Sequence, residues 1–147
     1  MAPEEVDACA ALLASSDPWL TLGRGLRHLL PVLKDPHRER FAAWEGKGLA
    51  GVLVLNLHGA FVGYVQILAA APSFRGRGVG RELLRFAEAR IFREHRNVFL
   101  CVSDFNTRAR AFYEREGYAC VGEIPDYVVA GHSELLMRKT RGPMDAS

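Results

Sequence analysis

Cysteine is scarce: the 147 residues include only Cys9, Cys101 and Cys120. An odd number at wide spacing excludes a disulfide framework, and none stands in metal-ligand spacing with the five histidines. Long apolar runs are missing too, since none reaches the roughly 18 residues needed to span a bilayer. The first residues, MAPEEVDACAALL, are acidic where a secretory leader is basic. Charge of one sign is in short supply, with 19 Lys and Arg against 17 Asp and Glu for a net +2. A nucleic-acid binder would show clustered basic charge with interleaved aromatics, and that pattern is absent. Repeats and low-complexity linkers are absent as well. These gaps point to a cytoplasmic protein with no metal, no nucleic-acid partner and no membrane partner.

What remains is ordinary globular material, 49% apolar and 24% charged. Two domains would each be short of core, so one domain is expected over residues 1–140, followed by a disordered tail at 141–147. PEEVDACAALLA has a helical rhythm, with Val6, Cys9, Ala10 and Leu13 on one face. A second helix is expected from Leu20 to Leu33, weakened by Gly23 and Gly25 and interrupted by Pro31. RFAAWEG, GLAGVLVLNL and AFVGYVQILAAA read as three strands joined by short turns, hence as antiparallel neighbours.

Residues 78–94 carry the strongest helical pattern, with Val79, Leu83, Phe86, Ala87 and Ile91 in one stripe. A buried strand NVFLCV follows, with Cys101 read as a small core residue. A helix from Asn106 to Glu116 and two strands, YACVGE and SELLMRK, complete the chain. Strands paired first by hairpins and later by a helical crossover make a mixed sheet. The expected fold class is an α/β (α+β) sandwich: a mixed, mostly antiparallel sheet of about six to seven strands with helices on both faces. The exposed final strand leaves room for a homodimer.

Two stretches carry the chemistry. FRGRGVGR, Phe74 to Arg81, joins a strand to the strongest helix. A helix N-terminus offers backbone N–H groups without internal partners and the positive end of the helix dipole, which together bind phosphate. Glycines let the backbone approach a ligand, and arginines add charge-assisted hydrogen bonds. The dinucleotide pattern G-x-G-x-x-G fails because Arg81 stands at its third glycine, and the P-loop pattern is absent. R-x-x-G-x-G, read as Arg75, Gly78 and Gly80, does fit. The second stretch is SDFNTRARAFYEREGY, Ser103 to Tyr118. There Asn106 suits an N-cap, while Ala109, Phe112 and Tyr113 follow at helical spacing.

Together the two stretches resemble the GNAT superfamily of acyl-coenzyme A N-acyltransferases. The resemblance rests on RGRGVG between strand and helix and on N-x-x-A-x-x-F-Y-x-x-x-G-Y about thirty residues later. It implies an acetyltransferase that moves an acetyl group from acetyl-CoA, as cosubstrate, to the amine of a small molecule or peptide. It also implies that the strand ending at Pro72 splays from NVFLCV to leave a cleft for the pantetheine arm. Backbone groups near Leu68 and Ala70 would hold that arm. The loop Arg75, Gly76, Arg77, Gly78, Val79 and Gly80 would hold the pyrophosphate, and Asn106 would bond the inner end of the arm. Tyr113 matches the position that protonates the departing thiolate. Two alternatives accompany this reading: a protein N-terminal acetyltransferase, or a CoA-binding module without turnover.

Acetyl transfer needs a neutral amine, and an alkyl ammonium has a reference pKa near 10.4, so a base is required. Many members of the superfamily place a glutamate on the strand before the glycine loop, where this chain offers only Tyr64 and Gln66. Glu45, Glu123, Asp126, Tyr127, His132 and Glu134 are open alternatives, as is a water chain. EIPDYVVAGHSELL and DPWLTLGR are candidate walls of the acceptor pocket, with Trp19 either a platform or a core anchor.

Overall fold

The fold is taken from a computed structural model, which describes residues 1–145. Six strands form one sheet in the order β1-β2-β3-β4-β6-β5. They are β1 (Glu39–Glu45), β2 (Gly48–Asn56), β3 (Tyr64–Ala70), β4 (Asn97–Ser103), β5 (Ala119–Pro125) and β6 (Ser133–Thr140). Four helices accompany them: α1 (Pro3–Ala14), α2 (Leu26–Lys34), α3 (Val79–Phe92) and α4 (Thr107–Arg115). Every pairing is antiparallel except that of β3 with β4, across the α3 crossover.

Alternation along β2 decides what each layer buries. Val52 and Val54 pack with Val6, Cys9, Ala10 and Leu13 of α1 and with Leu29 and Leu33 of α2. Leu53 and Leu55 face the other way, among Val79, Leu83, Leu84, Ala87 and Ile91 of α3. Helices therefore cover both faces. The first cluster holds no residue of β4 or β6, so α1 and α2 cover only the β1–β3 half of their face. That uncovered half is where the cleft opens.

Several expectations need correction. The second helix begins at Leu26, because the backbone reverses at Gly23 and restarts from Gly25 as N-cap. Residues 17–23 are instead a run of turns pinned by Asp17, which accepts from the Thr21 amide at 2.9 Å. Pro31 lies inside α2 without ending it. In α3 the stripe contains Leu84 rather than Phe86, which is half exposed and packs edge-on against Phe41 at 4.9 Å. Cys101 is not core but lines the cleft.

The third strand starts at Tyr64 rather than Ala60, since Gly63 takes a left-handed φ of +83° just before it. Beyond β6, the Arg141 amide donates to the Arg96 carbonyl at 2.8 Å, and the Arg141 guanidinium lies 4.0 Å from the centre of the Phe92 ring. The last two residues of the expected tail, 146–147, lie outside the described residues.

Candidate active site

The parallel pairing of β3 with β4 has only two rungs, Tyr64 with Phe99 and Val65 with Leu100. Beyond them the strands part, although β3 runs on to Ala70 and β4 to Ser103. A cavity of about 930 Å³ fills the fork. Gly78, Gly80, Asn106 and Tyr113 line it from the α3–α4 side, and Asp17, Trp19 and Glu134 line it from segments outside that layer. The opening thus passes through the sheet.

The α3 end of the cleft is built for an anion. Gly76 and Gly78 take φ of +78° and +79°, a left-handed turn that costs other residues about 1–2 kcal/mol each. Gly78 is the N-cap and no side chain caps the helix, so its first-turn donors stay available. Arg75, Arg81, Arg108 and Arg115 also line the cavity, and Arg81 is held by Glu116 at 3.0 Å. Of the residues expected here from the sequence, Leu68, Ala70, Arg75, Gly76, Gly78, Val79, Gly80, Asn106 and Tyr113 all line the cleft. Arg77 does not: its guanidinium reaches Glu45 at 3.4 Å and lies 5.4 Å from the centre of the Phe74 ring.

Asn106 caps α4 through its side-chain oxygen, which accepts from the Ala109 amide at 3.3 Å. Replacing it with alanine is expected to cost about 1 kcal/mol by urea denaturation, the usual loss on removing an N-cap. Tyr113 is 8% exposed, packed edge-on against Phe112 and Tyr118 at 5.1 and 5.8 Å. Burial pushes its phenol well above the usual range, so it stays protonated at any ordinary pH.

At the other end, Gln66 cannot be a base. It is neutral, and its carbonyl oxygen accepts from Arg38 Nε at 2.6 Å. Ser103 on β4 and Glu134 on β6 sit directly opposite each other in register, and Ser103 Oγ donates to Glu134 Oε2 at 2.6 Å. Both are buried and both line the cavity. Burial raises the Glu134 carboxyl above its ordinary value, Asp104 adds to the rise, and the Ser103 bond and His132 oppose it. Tyr64 and Cys101 lie beside it, and burial raises both. Trp19 packs on the α1–α2 core and also lines the cleft.

Residues 6–118 match the family model described as Acetyltransferase (GNAT) family. The chain belongs to the GNAT acetyltransferases. Within that family, a blasticidin-S acetyltransferase of Streptomyces morookaense is 33% identical over 119 residues, which is 79% of this chain and 86% of that one. The N-alpha-acetyltransferase RimI of Mycobacterium tuberculosis (strain ATCC 25618 / H37Rv) is 31% identical over 137 residues, 90% of this chain and 82% of RimI. An aminoglycoside 6'-N-acetyltransferase solved in complex with coenzyme A superposes with a TM-score of 0.75 at 20% identity, covering 98% of this chain and 94% of that one. The last likeness establishes the shared GNAT fold. This GNAT chain is accordingly an acyltransferase with a forked mixed sheet.

Among the described residues no three His, Cys, Asp or Glu side chains converge to hold a metal ion. No helix among them is long and apolar enough to cross a membrane.

Proposed function

We propose that this acetyltransferase moves the acetyl group of acetyl-CoA to a primary amine by direct attack within a ternary complex. The observation that carries the reading is the two-rung fork between β3 and β4, with an uncapped helix N-terminus at its mouth. A thioester threaded through that fork has donors for its pyrophosphate on one side of the sheet and an aromatic, acidic pocket for an amine on the other.

The residues present fit coenzyme A. Arg75, Gly76, Gly78, Gly80, Leu68, Ala70 and Asn106 all line the cavity; the first four would surround the diphosphate, Leu68 and Ala70 would flank the pantetheine arm, and Asn106 would meet its inner end. Bound acetyl-CoA supplies an activated acyl group and a thiolate leaving group. A backbone N–H near Ala70 would hold the oxyanion, and Tyr113 would give the thiolate its proton. Asp17 and Glu134 supply negative charge for an ammonium substrate, and Trp19 and Tyr127 supply ring faces.

Calorimetry with acetyl-CoA, together with CoA release measured against blasticidin S, an aminoglycoside and an alanine-initiated peptide, tests the reading. Tight coenzyme binding with turnover of one acceptor class is expected, and turnover of the peptide alone would place the acceptor among protein N-termini. Failure to bind acetyl-CoA, or inertness toward every amine, overturns it.

The cradle has its own test. A Cβ at Gly80 meets nothing closer than Leu68 Cδ2 and Phe112 Cζ at 3.9 Å, so valine should fold there. By filling the approach to the α3 amides, Gly80→Val should weaken acetyl-CoA at least tenfold while leaving the thermal midpoint within a few degrees.

A further inference from the structure

We propose that Glu134, held by Ser103, takes the proton from the acceptor's ammonium. This rests on the acetyl-transfer reading and assigns the base that the strand before the glycine loop lacks. Gln66 stands on that strand, neutral and committed to Arg38.

The geometry selects Glu134 among the carboxylates. It is 8% exposed and lines the cavity, whereas Glu45 and Glu123 are exposed and line nothing in the fork. Asp126 is exposed and accepts from the Gly131 amide at 2.8 Å. Asp104 accepts from the Ser133 amide and pairs with His132, which leaves both of its oxygens engaged. Asp17 accepts from Thr21. In Glu134, one oxygen takes the Ser103 proton at 2.6 Å and the other has no protein partner among the described residues. Cys101 and Ser103, two residues apart on β4, share the face that α1 and α2 leave uncovered, and Glu134 joins it by cross-strand pairing with Ser103. Tyr113 belongs to the opposite layer, with α3. Base and acid therefore stand on the two sides of the sheet that a thioester in the fork would bridge.

The Glu134 carboxylate accepts one proton from R–NH₃⁺, and the freed lone pair forms the C–N bond at the thioester carbonyl. Collapse of the tetrahedral intermediate breaks the C–S bond, and Tyr113 protonates the thiolate. The second amine proton leaves as the amide forms and restores the tyrosine, and Glu134 returns its own to solvent. The groups facing Glu134 are Ser103 and Cys101 on β4, Tyr64 on β3, and Asp104 and His132 on the flanking loops. With burial outweighing the Ser103 and His132 contributions, the rate should climb with pH through a limb above the ordinary carboxylate range.

The probe is n-butylamine, a minimal primary amine, used with the best acceptor of the panel above, and the readouts are CoA release from pH 5 to 9 and acetyl-CoA affinity. Glu134→Gln keeps the shape and the Ser103 contact. It should bind acetyl-CoA as the wild type does, turn over about 10²–10⁴-fold more slowly, and replace the carboxylate limb with a rise that follows the free-amine fraction alone. Ser103→Ala should move the limb to higher pH, because it removes a bond to the charged carboxylate. Glu134→Asp should recover part of the loss.

Stability gives a second readout. A raised carboxyl keeps its proton longer when folded than when unfolded, so wild-type stability falls as pH rises between the two values. Glu134→Gln lacks that fall, so its thermal midpoint should exceed the wild type's at pH 8 and match it at pH 4. Wild-type turnover equalled by Glu134→Gln overturns this assignment alone, as does an unmoved limb in Ser103→Ala. A wild type that consumes acetyl-CoA with no amine overturns the transfer reading beneath it.

Discussion

Gly63→Ala is expected to destabilise the protein by about 2–5 kcal/mol and to weaken acetyl-CoA binding in the fraction that still folds. Two costs add. The backbone there is left-handed, at φ +83°, which disfavours a side chain by about 1–2 kcal/mol. A methyl group would also stand 2.4 Å from the Asn97 carbonyl oxygen and 2.8 Å from Ile91 Cγ2. The carbonyl is backbone and Ile91 is fully buried, so neither yields cheaply, and overpacking of this kind costs about 1–3 kcal/mol.

The effect on binding follows from position. The Gly63 carbonyl accepts from the Phe99 amide at 3.0 Å, immediately before the two rungs that fix the angle between β3 and β4. Pushing Asn97 away shifts β4 at its root and changes the width of the fork farther along. Urea denaturation with the wild type and Gly59→Ala alongside checks this. The added methyl at residue 59 meets only Asn56, at 3.4 Å, and should cost less than 1 kcal/mol. A loss below 1 kcal/mol at residue 63 would contradict the account.

Tyr113→Phe should lower kcat by about 10²-fold or more, with acetyl-CoA affinity and stability close to the wild type's. The ring carries the packing against Phe112 and Tyr118, and phenylalanine preserves it. The hydroxyl has no protein partner among the described residues, so its loss strands no buried donor or acceptor. In the proposed mechanism what disappears is the proton source for the thiolate, so the loss should shrink with an acyl donor whose leaving group needs no proton. Because burial holds the phenol protonated through the working range, no descending limb below about pH 9 should be traceable to Tyr113 in the wild type. An unchanged kcat would remove Tyr113 from the chemistry.

The local parts of this molecule were readable from the sequence because local rules govern them. Asn106 caps α4 as its residue type suggests, and the glycines between Arg75 and Arg81 sit where a strand yields to a helix. Hairpin pairing of β1, β2 and β3 followed from their short connections. Pairings between distant residues were not readable. Nothing near Gln66 announces that Arg38, 28 positions earlier, will occupy its carbonyl. Likewise Glu134 and Ser103 meet only because β6 inserts between β4 and β5, a register that no spacing along the chain encodes. Cys101 looks like core because its neighbours are apolar. It borders the cleft because α1 and α2 leave β4 bare, which is a fact about layers rather than about the strand itself.

The fork also bears on solubility. A strand flank without a partner is a template for another chain, and on a protein's perimeter it invites fibres. Here β3 carries such a flank past Val65, but it lies at the bottom of a narrowing slot between β3 and β4. A second folded molecule cannot enter that slot, whereas a single thin, extended ligand can. The protein thus keeps a ready-made row of main-chain donors and acceptors in its interior without offering it to its own copies.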